Sequence, residues 1–128
     1  MAALTVSTAT QPPDSGRLNN GIYTVLASGA GTTQTAVVAA VAAKKITIVR
    51  GWISFDGATA DNVIVQSGNT TLFTAYGSNA VAITVELPRG LYTAAGAALN
   101  LKKASTAVVS VHIEYAVIGS GVHLPLSA

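Results

Sequence analysis

Along one C-terminal stretch Val109, Val111, Ile113, Tyr115 and Val117 fall on one side of the chain, and Ser110, His112, Glu114 and Ala116 on the other. A period of two is that of a β-strand, whose successive side chains point to opposite faces; a helix buried along one stripe repeats every 3.6 residues. The same alternation runs through Val81, Ile83, Val85 and Leu87 against Ala82, Thr84 and Glu86, and Pro88-Arg89-Gly90 closes it. No segment shows a helical period.

The rest of the chain reads in the same way. Ile46 to Phe55 is a long strand in which Ile46 and Ile48 share a face, and a bulge near Arg50 brings Gly51, Ile53 and Phe55 to that same side. Ile22 to Leu26 is a shorter strand, ended by a turn at Ser28-Gly29-Ala30-Gly31. Thr35 to Ala42 mixes helix-favouring Ala with strand-favouring Val and Thr, and its brevity assigns it to strand. Asn62 to Gln66, Thr71 to Tyr76, and Leu99 with Leu101 follow, and the strand from Val109 is the longest. About eight strands separated by Gly, Asn and Asp turns indicate an all-β sandwich or barrel. A jelly-roll β-sandwich is the expected topology. A Greek-key sandwich of immunoglobulin type is the alternative, although the Cys and Trp hallmarks of antibody domains are not matched.

Residues 1–20 are small and polar, contain Pro12-Pro13 and lack a sustained period, so they read as an extended N-terminal arm preceding a β domain over residues 21–128. A disordered tail is the alternative. Leu4-Thr5-Val6-Ser7-Thr8 alternates like a short strand, and twenty extended residues span about 65 Å, enough to cross a neighbouring subunit.

Seven basic and five acidic side chains serve 128 residues, so 9% of the chain is charged, against roughly 25% in an average soluble domain. A monomer of this mass exposes about 6,300 Å². Such a neutral surface is expected to be covered in part by partners. The net charge of +2 does not make a nucleic-acid footprint. Lys44-Lys45 and Lys102-Lys103 are the only basic clusters, lack interleaved stacking aromatics, and read as solvated strand ends. The chain has no cysteine, which removes disulfides and thiolate chemistry together. The N-terminus lacks a basic region followed by an apolar stretch of signal-peptide length, and the apolar run from Ala36 to Ala43 is far shorter than a membrane span. The expectation is no nucleic-acid partner and no membrane. The triplet Asn69-Thr70-Thr71 carries no information outside a secreted chain.

Catalysis needs convergent groups, and the chain offers only Asp14, Asp56, Asp61, Glu86 and Glu114 as acids and His112 and His123 as imidazoles. Asp56 and Asp61 flank one turn, where capping is the ordinary role and calcium ligation or a carboxylate pair the alternative. There is no Gly-x-Ser-x-Gly elbow, and Gly29-Ala30-Gly31 lacks the third glycine of a dinucleotide loop. The expectation is a protein that is not an enzyme, with no catalytic residues, no cofactor and no metal. Trp52, the sole tryptophan, is out of phase with Ile53 and Phe55 and reads as an intersheet or intersubunit contact. Leu4, Val6, Pro12, Pro13, Arg17, Trp52 and Tyr92 are the candidate interface residues.

Three patterns carry a family resemblance: the opening Lys44-Lys45-Ile46-Thr47-Ile48, the segment Pro88-x-Gly90-Leu91-x-Thr93-x-x-Gly96-x-Ala98-Leu99-x-Leu101, and the closing Val109-x-Val111-x-Ile113-x-Tyr115-x-x-Ile118. With them the stretch from Lys45 to Gly119 resembles small capsid decoration, or cement, proteins of tailed bacteriophages, and similar spacing occurs in trimeric jelly rolls of the tumour-necrosis-factor kind. The resemblance implies a homotrimer, made in the host cytoplasm, that binds the major capsid protein on the outer surface of the virion and stabilises the head by bridging capsomers. The alternative is a receptor-binding or fibre-tip module in which Trp52, Tyr76 and Tyr92 contact cell-surface glycan.

Overall fold

The computed structural model describes residues 3–9, 22–57 and 60–119. Among them run nine strands: β1 (Thr5–Ala9), β2 (Ile22–Gly29), β3 (Thr35–Val38), β4 (Lys44–Phe55), β5 (Asn62–Ser67), β6 (Thr70–Tyr76), β7 (Ile83–Glu86), β8 (Leu99–Lys103) and β9 (Val109–Gly119). The described residues contain no helix.

The pairing of these strands is nested. β5 meets β6 across the Gly68-Asn69 turn, β4 meets β7, β3 meets β8 and β2 meets β9, each pair antiparallel. That is one long hairpin folded over on itself, and the folding distributes its arms into two sheets, β1-β2-β9-β4-β7 and β3-β8-β5-β6. The result is the jelly-roll β-sandwich expected from the sequence, with β1 added at the edge beside β2.

Alternation decides what the sandwich encloses. Val109, Val111 and Ile113 of β9 face Leu99 and Leu101 of β8 and Val63 and Val65 of β5 in a single core. Each such side chain, taken out of water, contributes about 1.5–3 kcal/mol. The bulge anticipated near Arg50 is present: the register of β4 against β9 shifts between Ile48 and Arg50. Ile46 and Ile48 thereby oppose Val117 and Tyr115, while Gly51, Ile53 and Phe55 oppose Ile113, Val111 and Val109. Without the extra residue one half of β4 would turn its apolar set to solvent. The backbones approach closely just beyond the bulge, where a Cβ on Gly51 would lie 2.6 Å from the carbonyl oxygen of His112.

Several sequence expectations are corrected. β3 stops at Val38 rather than continuing to Ala42, β2 extends to Gly29, and β4, with twelve residues, is longer than β9, with eleven. Leu4-Thr5-Val6-Ser7-Thr8 does form a strand, and it pairs with β2 of this same chain. Leu4 lies in the domain's own core, and its amide donates to Thr35 Oγ1 at 3.2 Å.

The two lysine pairs are not both solvated strand ends. Lys103 follows Leu99 and Leu101 in the same phase, so its side chain enters the sandwich, where it is fully buried. There it forms an ion pair with the equally buried Asp61 and also donates to the carbonyl of Ser105 at 2.6 Å. Asp61 Oδ1 in turn accepts the amides of Asn62 and Ser105, each at 2.7 Å. Burying a charge is tolerable only with its partner and these additional hydrogen bonds in place. Lys45 is 8% exposed because it lies under Tyr92, its Nζ 4.6 Å from the ring centroid. Lys44 and Lys102 are exposed, as expected.

Because a lone buried charge costs far more than a missing pair, Lys103→Ala is expected to lower stability by about 3–5 kcal/mol. Combining Lys103→Met with Asp61→Asn, which keeps an acceptor for the two amides, should recover most of that loss. Urea unfolding midpoints of the three proteins check this. Gly51→Val should be destabilised as well, since its side chain meets backbone rather than a movable group.

Candidate functional site

Alternate residues of the five-stranded sheet that do not face the core form its outer face, and strand register arranges them in ranks. Thr5, Ser28, Ser110, Ser54 and Thr84 stand opposite one another across β1, β2, β9, β4 and β7, a hydroxyl on every strand. Two residues along, Leu26, His112, Trp52 and Glu86 form the next rank across β2, β9, β4 and β7. Two further residues along are Thr24, Glu114 and Arg50. Strands lie about 4.8 Å apart and ranks about 6.8 Å apart. Thr5, Leu26, Ser28, Trp52, Ser54, Ser110 and His112 together line a trough of about 320 Å³.

The middle rank is held rigidly. The indole of Trp52 and the imidazole of His112 are parallel within 3° at a centroid distance of 4.4 Å. His112 Nε2 lies 3.3 Å from Glu114 Oε2, and Arg50 Nε donates to Glu114 Oε1 at 3.0 Å. Partial burial pushes the Glu114 carboxyl up, but hydrogen bonds from Arg50 and His112, with their charge, outweigh it and hold the group below the ordinary glutamate value. At the β7 side the hydroxyls of Ser54 and Thr84 hydrogen-bond each other at 3.0 Å.

A second feature occupies one end of the sandwich. There the amide of Asp56 donates to the carbonyl of Val108 at 3.3 Å, and that of Gly77 to Asp61 at 2.9 Å. Gly57, with a φ of 78°, presses on the Val81-Ala82 backbone so closely that a Cβ would come within 2.4 Å of it. The segments after β4, β6 and β8 are thus tied together, and they present Tyr76, Val81 and Val108 at 68%, 59% and 50% exposure. Alternation along the chain does not reveal this crown, because Val108 is remote in sequence from Tyr76 and Val81 and only the strand pairing brings their segments together.

The candidate interface residues do not converge. Trp52 points away from the second sheet and is 37% exposed, so the intersheet alternative is removed. Tyr92 is half-exposed beside the first half of β4, bridged to Thr47. Leu4 is in the core, and Val6 packs against it. Pro12, Pro13 and Arg17 lie outside the described residues, as does His123. Trp52, Tyr76 and Tyr92, grouped in the glycan alternative, stand at three separate places. Asp56 and Asp61 make no carboxylate pair, since Asp61 is committed to Lys103 and Asp56 is exposed. Among the described residues no three metal-ligating side chains gather.

A carboxyl whose folded value is lowered stabilises the fold above its unfolded value and ceases to do so as pH falls through the folded one. Glu114→Gln is therefore expected to be less stable than the parent near neutral pH. The difference should disappear in acid below the ordinary glutamate range, about 4.3. Urea midpoints of both proteins, measured across the acid range, check the convergence.

No protein-family model matches the chain, and no curated protein matches it. Among solved structures it is similar to the cupin domain of Cnp3 from Schizosaccharomyces pombe, at 12% identity and a TM-score of 0.43, over 88% of this chain. The chain spans 60% of the length of that structure. Jelly rolls host catalytic and non-catalytic proteins alike, so function has to be argued from the surface of this chain.

Proposed function

We propose that this chain is a structural virion protein, a capsid decoration or cement protein that binds the outer surface of an icosahedral phage head as a homotrimer and bridges capsomers. The observation that carries the reading is the crown of Tyr76, Val81 and Val108. Large apolar side chains held out on mutually tied segments are expensive to leave in water, and a docking partner that covers them removes that cost. The segments carrying it are braced against each other, so docking would order little that is not already ordered.

The scarcity of charge supports the same reading. Of the twelve charged side chains, Lys103 and Asp61 neutralise each other in the core, Lys45 is covered by Tyr92, and Arg50 and Glu114 are paired on the outer face. Little ionised surface remains to oppose close packing of copies on a shell. In this reading the major capsid protein meets the crown and the three copies meet along their flanks. The protein does no chemistry; it adds buried area that opposes the pressure of packaged DNA.

Native mass measurement is expected to give a particle of three 12.8 kDa chains. A single chain persisting at high concentration overturns the trimer. Replacing Tyr76, Val81 and Val108 together by Ser is expected to leave that mass unchanged while weakening attachment to stripped heads by about 100-fold or more, given roughly 1.5 kcal/mol for each lost apolar contact. Undiminished attachment would exclude the crown as the docking surface.

A further inference from the structure

We propose that the trough on the outer face of the five-stranded sheet binds a neutral saccharide, a role separate from docking through the crown. Its floor is the rank Ser28, Ser110 and Ser54, with Thr5 closing one end. Its wall is the next rank, Leu26, His112 and Trp52. A ligand lying there meets hydroxyls along one side and an aliphatic and aromatic surface along the other.

The chemistry of the two ranks selects the ligand class. Each Ser or Thr hydroxyl offers one donor and two acceptors, so the floor suits a molecule that carries donors and acceptors in equal density. Ser28 and Ser110 make no side-chain hydrogen bond among the described residues and are exposed. A purely apolar ligand would strip these hydroxyls of water without replacing it. An anionic ligand is disfavoured, because both cationic groups at the trough, Arg50 and His112, lie against the Glu114 carboxylate, at 3.0 and 3.3 Å. A pyranose has both properties the trough asks for: hydroxyls at its rim and C–H groups that pack against Leu26 and the edges of the stacked rings. The volume, about 320 Å³, is at the small end of ligand sites and matches one or two sugar units better than a long chain.

A second copy of this chain is the competing occupant, and the composition argues against it. Interface cores are depleted in Ser and acidic residues, whereas this face carries a hydroxyl on each of five strands and both Glu86 and Glu114. The parallel stack of Trp52 on His112 leaves the wall preformed, so binding costs little side-chain ordering.

The position of the sole tryptophan makes the test direct. Glucose, galactose, mannose, N-acetylglucosamine and their short neutral oligomers are titrated into the full chain, with Trp52 emission and calorimetric heat as readouts. At least one is expected to give a saturable change in both. Ser110→Val, which fills the floor and leaves the reporter in place, should weaken that binding about tenfold or more, as should Trp52→Ala followed by heat alone. Urea midpoints establish that both variants are folded. No saturable response across the panel overturns the proposal, and so does sugar binding that survives both substitutions. Trp52 emission that changes with protein concentration alone would assign the trough to a second copy instead. The Tyr76, Val81 and Val108 replacement should leave sugar binding intact, so failure of the docking reading and failure of this one are told apart.

Discussion

β4 and β9 are paired from Lys44 opposite Gly119 to Phe55 opposite Val109, nearly the full length of both. β9 is bonded on its other side to β2, and β4 on its other side to β7, so the five-stranded sheet is assembled around this seam. The core-facing residues of the seam also form the lid against which β8 and β5 pack. One extra residue in β4 keeps both halves of the seam apolar toward the core, and the same offset sets the outer ranks in register. Had β4 run without the bulge, Trp52 could not stand beside His112 while Ile46 and Ile48 stayed inside. The core and the outer trough are thus two faces of one registration.

Charge is the other constraint. Ionised groups are few, and three of the described basic residues are tied to Asp61, Tyr92 or Glu114. Much of the surface left over is neutral, and such a surface carries little like-charge repulsion against another neutral surface. Neutral groups make the polar contacts at the Gly68 turn of the smaller sheet, where Gln34 Nε2 donates to Gln66 Oε1 at 2.7 Å and to Asn69 Oδ1 at 3.1 Å, and Asn100 Nδ2 to the carbonyl of Gly68 at 2.8 Å. Where charges are scarce, neutral dipoles do the fixing.

Much of the fold could be read from the chain because a period of two survives in every long strand. The bulge was legible as a break in phase between Ile48 and Gly51, and Thr71 to Tyr76 and the flanking turn stood out through Ser67, Gly68 and Asn69. The burial of Lys103 was missed, and the pair was read as a solvated strand end, although Lys103 continues the phase of Leu99 and Leu101. What hid it was the missing partner, since Asp61 lies 42 residues away and only the pairing of β5 with β8 brings them together. The ranks of the trough were invisible for the same reason. Each strand showed its own outward residues, but which serine faces which depends on strand order, and alternation is silent on order. β3 failed differently, because alanine past Val38 has no preference strong enough to mark where a strand should stop.

The nested hairpin has a temporal consequence. Its tip, β5 with β6, is local, but its base joins Ile22 to Ala116. Pairings so remote in sequence carry a large loop-closure entropy and slow the search for the native topology. Of the nine strands β9 is the last to emerge during synthesis, and until it arrives β2 and β4 each lack a neighbour in the middle of the sheet. The hairpins that β9 does not join can pair before it, but β2 and β4 keep open edges until β9 closes the five-stranded sheet between them.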